Sequence, residues 1–238
     1  MSKSAARIVA ARRNPHLAVL EGFHAVKHAL RFGAEPLVLV TPDPTALLAM
    51  AESLAPDLVE ELSAAETIDA GDFLRLTARP VPTPALAVAR RPAVDVVAVL
   101  SGPGPVVLLE DPRHLGNVGA AVRVAAAAGA AGVLTTGDRD PWDPAALRGS
   151  AGLHYAVPVA HLEALPKTDR PLVALDPAGE PLGTLPERPI VAFGTERSGL
   201  SEKILKRADR RLAIPMRPGV SSLNLATAVA VVLYGTTG

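Results

Sequence analysis

VVLLEDPRHLGNVGAAVRVAAAAGAAGVLTT (106–136) reads as strand, loop, helix and strand in succession. VVLLE (106–110) and GVLTT (132–136) are short apolar runs bounded by turn formers, the pattern of strands buried on both faces. Residues 118–128 lie between them, rich in Ala and free of Pro, and read as a helix. The same alternation continues toward the C-terminus. PLVAL (171–175), PIVAF (189–193) and RLAIP (211–215) are further strand candidates, with helical stretches at 144–150, 202–208 and 223–234. Strands alternating with helices imply an α/β unit whose parallel sheet is covered on both faces. In such sheets ligands sit beyond the carboxyl ends of the strands, so the loops after strands are where chemistry is expected.

Toward the N-terminus, EGFHAVKHALRFG (21–33) has Phe23, Val26, Ala29 and Leu30 on one helical face and Gly33 as a stop. PLVLV (36–40) is a strand candidate and Thr45 to Leu54 a second helix. This outlines a small α/β unit over residues 1–92 that carries no catalytic signature. RRPAVDVVAVLSGPGP (90–105) is punctuated by Pro92, Pro103, Pro105, Gly102 and Gly104, and residues 93–105 read as a linker. The second unit is then 106–238.

Composition agrees with two modest units. The chain has 238 residues, 49% of them hydrophobic and 20% charged, enough apolar content for a proper interior. Cysteine is absent, which excludes disulfides, thiolate metal sites and a Cys nucleophile, and no metal site is expected. The longest uncharged run, Pro218 to Gly238, is interrupted by polar residues and too short to span a membrane, so a soluble, cytoplasmic protein is expected.

The net charge is zero, from 24 Lys+Arg and 24 Asp+Glu. The charges are nevertheless segregated. Lys3, Arg7, Arg12, Arg13, Lys27 and Arg31 crowd the first 31 residues, whereas residues 32–74 hold acids and no Lys or Arg. A second basic run extends from Arg197 to Arg217. Both could grip phosphates, although on charge alone solvated faces are the simpler reading.

Three loops after strands carry residue types that a plain turn does not need. In DPRHLGNVGAAVRV (111–124), Asn117 and Gly119 introduce the helix and Arg123 interrupts its small apolar run. That helix is expected to be buried on most sides, and a buried arginine needs partners or a job. In FGTERSGLS (193–201), Gly194 and Gly199 permit tight bending. Ser201 is a good N-cap for the helix that follows, and Glu196 is left unexplained. In IPMRPGVSSLNLATAV (214–229), Ser221 or Ser222 is expected to cap the last helix, with Asn224 inside its first turn. Polar side chains and free N–H groups at a helix start suit an oxygen-rich ligand.

Taken together these residues resemble the signature of the SpoU/TrmH family of RNA ribose 2′-O-methyltransferases, part of the knotted SPOUT superfamily. The matching residues are Asn117, Gly119 and Arg123; then Gly194, Glu196, Gly199 and Leu200; then Ile214, Pro215, Met216, Ser222, Leu223 and Asn224. A subsidiary match runs through Arg148, Ser150 and Gly152. Order and spacing agree across 106–235. Residues 1–92 are similar, less specifically, to the L30e-like RNA-binding domain that precedes this catalytic domain in relatives, through EGFHAVKHAL and TPALAVARRP. Ten Lys/Arg against ten Asp/Glu make this stretch less basic than such domains usually are.

The resemblance implies a trefoil-knotted, mostly parallel sheet and S-adenosylmethionine as cofactor, bound around Thr135, Gly194, Glu196, Gly199, Ile214, Met216, Ser222 and Leu223. It implies Arg123 as the residue acting on the ribose hydroxyl, Asn117 and Glu196 as its supports, and Ser222 and Asn224 as orienting groups. A homodimer acting on RNA is expected, with ribosomal RNA favoured over transfer RNA. A base-nitrogen methyltransferase and a non-catalytic RNA-binding relative are the alternatives. A Rossmann-type G-x-G-x-x-G is missing, which disfavours a conventional dinucleotide-type methyltransferase.

Overall fold

The computed structural model describes residues 2–77, 79–195 and 198–235. The chain packs as two units, one running to Pro92 and including Ala151–Ala156, the other made of Ala93–Ser150 and the chain from Val157 on.

The first unit contains α1 (Lys3–Ala11), β1 (Leu17–Glu21), α2 (Phe23–Arg31), β2 (Pro36–Thr41), α3 (Pro44–Leu54), α4 (Val59–Ser63), β3 (Glu66–Thr67), α5 (Ala70–Leu76) and β4 (Leu86–Arg90). Its four strands are ordered β1-β4-β2-β3, antiparallel except for the β2–β3 pair. Ile8, Val40, Phe73, Leu86 and Val88 share one core. α2 follows its apolar spacing: Phe23, Val26 and Ala29 are buried, and Gly33, at φ 85°, ends it. Glu21 is buried because Arg12 holds its carboxylate at 2.5 Å. The inserted turn Leu153–Tyr155 belongs here: His28 Nδ1 meets the Ala151 carbonyl at 2.8 Å, and the Tyr155 hydroxyl donates to the Arg90 carbonyl at 3.0 Å.

The second unit contains α6 (Val96–Ser101), β5 (Val106–Leu109), α7 (Leu115–Ala127), β6 (Gly132–Thr135), α8 (Pro144–Gly149), β7 (Val159–His161), β8 (Leu172–Pro181), β9 (Ile190–Phe193), α9 (Glu202–Arg207), β10 (Arg210–Ala213) and α10 (Leu225–Gly235). Its sheet has the order β10-β8-β9-β5-β6-β7, and every pairing is parallel. β5, β6 and β9 are buried at every position, as continuous apolar strands in a sheet covered on both faces should be.

The linker expected at 93–105 is instead part of this unit. Asp95 accepts from the N–H groups of Val97 and Ala98, starting α6, whose Val99 and Leu100 enter the core. Arg170, 4% exposed, donates to the carbonyls of Val99, Leu100, Gly102, Gly104 and Arg188. One guanidinium thus satisfies the frayed end of α6 and the Pro/Gly-rich turn after it. The stretch reads as a linker in sequence because nothing local announces a partner about 70 residues away.

α7 and α8 touch backbone to backbone. A Cβ on Gly119 would lie 2.0 Å from the Ala146 carbonyl oxygen, so only glycine fits there. The spacing of Gly119 from Asn117 and Arg123 is therefore a packing constraint that also fixes the pose of the helix carrying them.

Candidate active site

Three strands of the second unit border one cavity, β9 and β10 at their ends and β8 at its middle. β8 contributes Leu175, Asp176 and Pro177, β9 contributes Phe193, Gly194 and Thr195, and β10 contributes Leu212, Ala213 and Ile214; Gly199, Met216, Ser221, Ser222, Leu223, Leu225 and Ala228 complete the lining. The cavity measures about 250 Å³, near the lower end of ordinary small-ligand sites at ~300–1,000 Å³.

Local sequence explains how the walls are made. At the end of β9, Thr195 and Gly199 exchange both backbone hydrogen bonds at 3.1 Å, with Gly199 at φ 65°. Gly194 leaves no room for a side chain, since a Cβ there would lie 2.0 Å from the Gly199 carbonyl carbon. The turn is anchored from β5: Glu110 accepts from the Ser201 N–H at 2.7 Å and from its hydroxyl at 2.6 Å. Ser201 also caps α9, accepting from the Ile204 N–H at 3.3 Å, the role its position predicts.

The start of α10 differs from expectation. Asn224, not a serine, caps it: its Oδ1 accepts from the Ala226 N–H at 2.9 Å, and the helix begins at Leu225. With Oδ1 committed to the cap, Nδ2 donates to Asn117 Oδ1 at 2.9 Å. The third motif is thereby tied to the first. Ser221 and Ser222 precede the helix, exposed on the cavity wall.

Of the expected site residues, Gly194, Gly199, Ile214, Met216, Ser222 and Leu223 line the cavity, and Asn117 and Asn224 bond to each other beside it. Glu196 lies outside the described residues. Thr135 is not part of the lining. It is fully buried at the end of β6, its hydroxyl 3.0 Å from His161 Nδ1, because the strands that reach the cavity are on the other side of β5.

Arg123 is exposed, contrary to the expected burial. At 100° per residue it stands about 120° around α7 from Asn117, on the face with exposed Gly116 and Ala127 rather than the face toward the sheet. No described residue pairs with its guanidinium. Leu175, Asp176 and Pro177 were missed by the sequence reading. The signal available was the break of the apolar run PLVAL at Asp176–Pro177, where β8 passes from buried to partly exposed.

The occupant this lining suits can be described chemically. Phe193, Leu212, Ile214, Met216 and Leu223 offer flat apolar surface, strand ends offer backbone groups, and Thr195, Ser221 and Ser222 offer hydroxyls. Among the described lining residues none is cationic and one, Asp176, is anionic, so a phosphorylated ligand is a poor match and a nucleoside a good one. Among the described residues no His, Asp or Glu cluster is arranged for a metal ion, and no helix is long and apolar enough to cross a membrane.

A parallel α/β unit with a nucleoside-sized cavity at its strand ends is thus the class that fold and site define. Residues 104–234 match the SpoU rRNA Methylase family, and the chain belongs to that family. It is 41% identical over 137 residues to an uncharacterized tRNA/rRNA methyltransferase of Synechocystis, a match covering 53% of this chain and 49% of that protein. The chain therefore spans about half the length of that relative. The 23S rRNA (guanosine(2553)-2′-O)-methyltransferase RlmP of Bacillus subtilis is 26% identical over 231 residues, 92% of this chain and 88% of that protein. The AdoMet complex of the SpoU methyltransferase AviRb from Streptomyces viridochromogenes shares the fold with a TM-score of 0.79 at 23% identity, over 99% of this chain and 97% of that one.

Proposed function

We propose that this chain is an S-adenosylmethionine-dependent methyltransferase that modifies a ribose 2′-hydroxyl of ribosomal RNA. The observation that carries the reading is convergence: Gly194, Gly199, Ile214, Met216, Ser222 and Leu223, drawn from motifs distant in sequence, line one cavity whose edge is the Asn117–Asn224 pair. Ribosomal RNA is favoured over transfer RNA by the names of relatives such as RlmP.

The lining fits the cofactor. Phe193, Ile214, Met216 and Leu223 would flank adenine, and backbone groups at Gly194 and Met216 would read its edge. When bound, S-adenosylmethionine supplies a methyl carbon on a positively charged sulfur that departs as a neutral thioether. The chain's task is to align a ribose oxygen with that carbon, and positioning of this kind is worth up to ~7–11 kcal/mol. Ser222 and Asn224 orient the ribose, and Asn117 fixes Asn224. A guanidinium is a poor base, so Arg123 stabilises the developing alkoxide while water or an RNA phosphate takes the proton. Its exposure suits a residue that meets a substrate arriving from solvent.

We place the C-terminal segment in a trefoil knot and the first unit in the L30e-like class, both by resemblance. A homodimer is proposed because Arg123 has no described partner and apolar side chains are exposed at both ends of α10, Val220 and Leu223 before it and Tyr234 in its last turn. A cytoplasmic site of action follows from the substrate. The test is to map 2′-O-methyl nucleosides in RNA from cells with and without the gene. A single ribose methylation that disappears with the gene is expected; unchanged RNA overturns the reading.

A further inference from the structure

The cavity holds one charged side chain among its described lining residues, and the proposed reaction does not use it. Asp176 lies midway along β8, just past its buried first part, its side chain 17% exposed. Two contacts fix the carboxylate: Oδ1 accepts from the Ala178 N–H at 3.0 Å, and Oδ2 lies 3.7 Å from an Arg211 guanidinium nitrogen. Each carboxylate oxygen has a second lone pair, so this lining group retains acceptor capacity.

Resting on the cofactor reading above, we infer that Asp176 recognises the ribose hydroxyls of the bound nucleoside and makes the site selective for a ribonucleoside. Position comes first. β8 is separated from β5 by β9, which at ~4.8 Å per strand sets Asp176 about 10 Å from the β5–α7 side where Asn117 meets Asn224. The transferred group must face that side, so Asp176 attends the nucleoside end. Charge comes second. With Arg211 alongside, the carboxylate has a positive partner already, and what it has left to offer is hydrogen-bond acceptance from neutral donors. A vicinal diol presents two such donors to one carboxylate. An ammonium group would instead compete with Arg211.

Equilibrium binding tests this with S-adenosylhomocysteine, 5′-methylthioadenosine and the 2′,3′-dideoxy analogue of 5′-methylthioadenosine, on the full chain and on Asp176→Ala and Asp176→Asn. Thermal midpoints should verify that both variants are folded. The wild type should bind the dideoxy analogue about 10- to 100-fold more weakly than 5′-methylthioadenosine, the scale of lost hydrogen bonds to a charged group. Asp176→Ala should bind both nucleosides with equal, reduced affinity, and Asp176→Asn should show an intermediate preference. Retention of the full ribose preference by Asp176→Ala overturns the inference. So does weakening confined to S-adenosylhomocysteine, which would assign Asp176 to the amino-acid tail. In both those cases the wild type still binds and the cofactor reading stands; a wild type that binds none of the three nucleosides overturns both.

Discussion

Asn224 Nδ2 donates to Asn117 Oδ1 across 2.9 Å, joining the N-cap of α10 to the first turn of α7. Two motifs 107 residues apart in the chain meet in one side-chain bond. The same Asn224 caps its helix through Oδ1, so one amide both starts α10 and sets its register against α7. Asn224→Ala should cost about 1–2 kcal/mol, the cap plus part of the pair. Asn117→Ala should cost about 1 kcal/mol, and the double variant should fall short of the sum by roughly 0.5–1 kcal/mol. Urea unfolding of the four proteins measures the coupling. Strict additivity would mean that the bond contributes nothing in solution.

Gly119 permits the backbone contact between α7 and α8. In Gly119→Ala the new Cβ meets the Ala146 carbonyl, which cannot swing aside as a flexible side-chain end could. The helices must part, at about 1–3 kcal/mol or more. Because α7 carries Asn117 and Arg123, methyl transfer should fall further than stability alone accounts for. Activity measured well below the unfolding transition separates the two effects.

Arg170 should behave as a structural residue despite its charge. Burial holds its pKa below the usual arginine value, with the neighbouring Arg188 acting in the same direction. Its five carbonyl acceptors would lose their donor in Arg170→Met, and roughly 3 kcal/mol or more of stability should go with them. Cofactor affinity, measured on the folded fraction, should not change, since α6 is remote from the cavity lining.

His28 gives the first unit a pH dependence. Burial lowers its pKa from 6.5, and the bond to the Ala151 carbonyl opposes that shift only in part. A depressed histidine pKa means that the unfolded chain takes up the proton first. The contribution is therefore complete above pH 6.5 and is lost as pH falls through the folded value. Stability of the first unit should decline as pH falls from 6.5 to the folded value, and His28→Gln should flatten the decline. Denaturation midpoints at a series of pH values decide; an unchanged slope in the variant would exclude His28 as the source.

Much of the parallel unit was legible because its strands are uniformly apolar and its loops carry unusual residues. VVLLE, GVLTT and PIVAF became β5, β6 and β9 nearly residue for residue. What escaped depended on contacts distant in sequence. VVAVL reads in sequence as part of a linker, but Arg170 supplies the donors that hold the carbonyls at the end of α6. Arg123 looked buried because its neighbours are small and apolar, yet small residues also line an open face. Thr135 came only from the family resemblance, and sheet order, which no single segment encodes, sets its strand away from the cavity. Asp176 was passed over for the same reason: the strand whose loop mattered could be recognised only once β8 was known to lie between β9 and β10.

Methyl transfer in this chain turns on Arg123 meeting a ribose oxygen. The most direct measurement incubates unmodified ribosomal RNA and S-adenosylmethionine with the wild type and with Arg123→Ala, then identifies methylated nucleosides by mass spectrometry, with cofactor affinity measured in parallel. The account predicts one 2′-O-methyl nucleoside with the wild type, and at least about a 100-fold loss of rate in the variant at unchanged cofactor affinity. Methylation on a base, or an Arg123→Ala variant that transfers methyl groups at the wild-type rate, would contradict it.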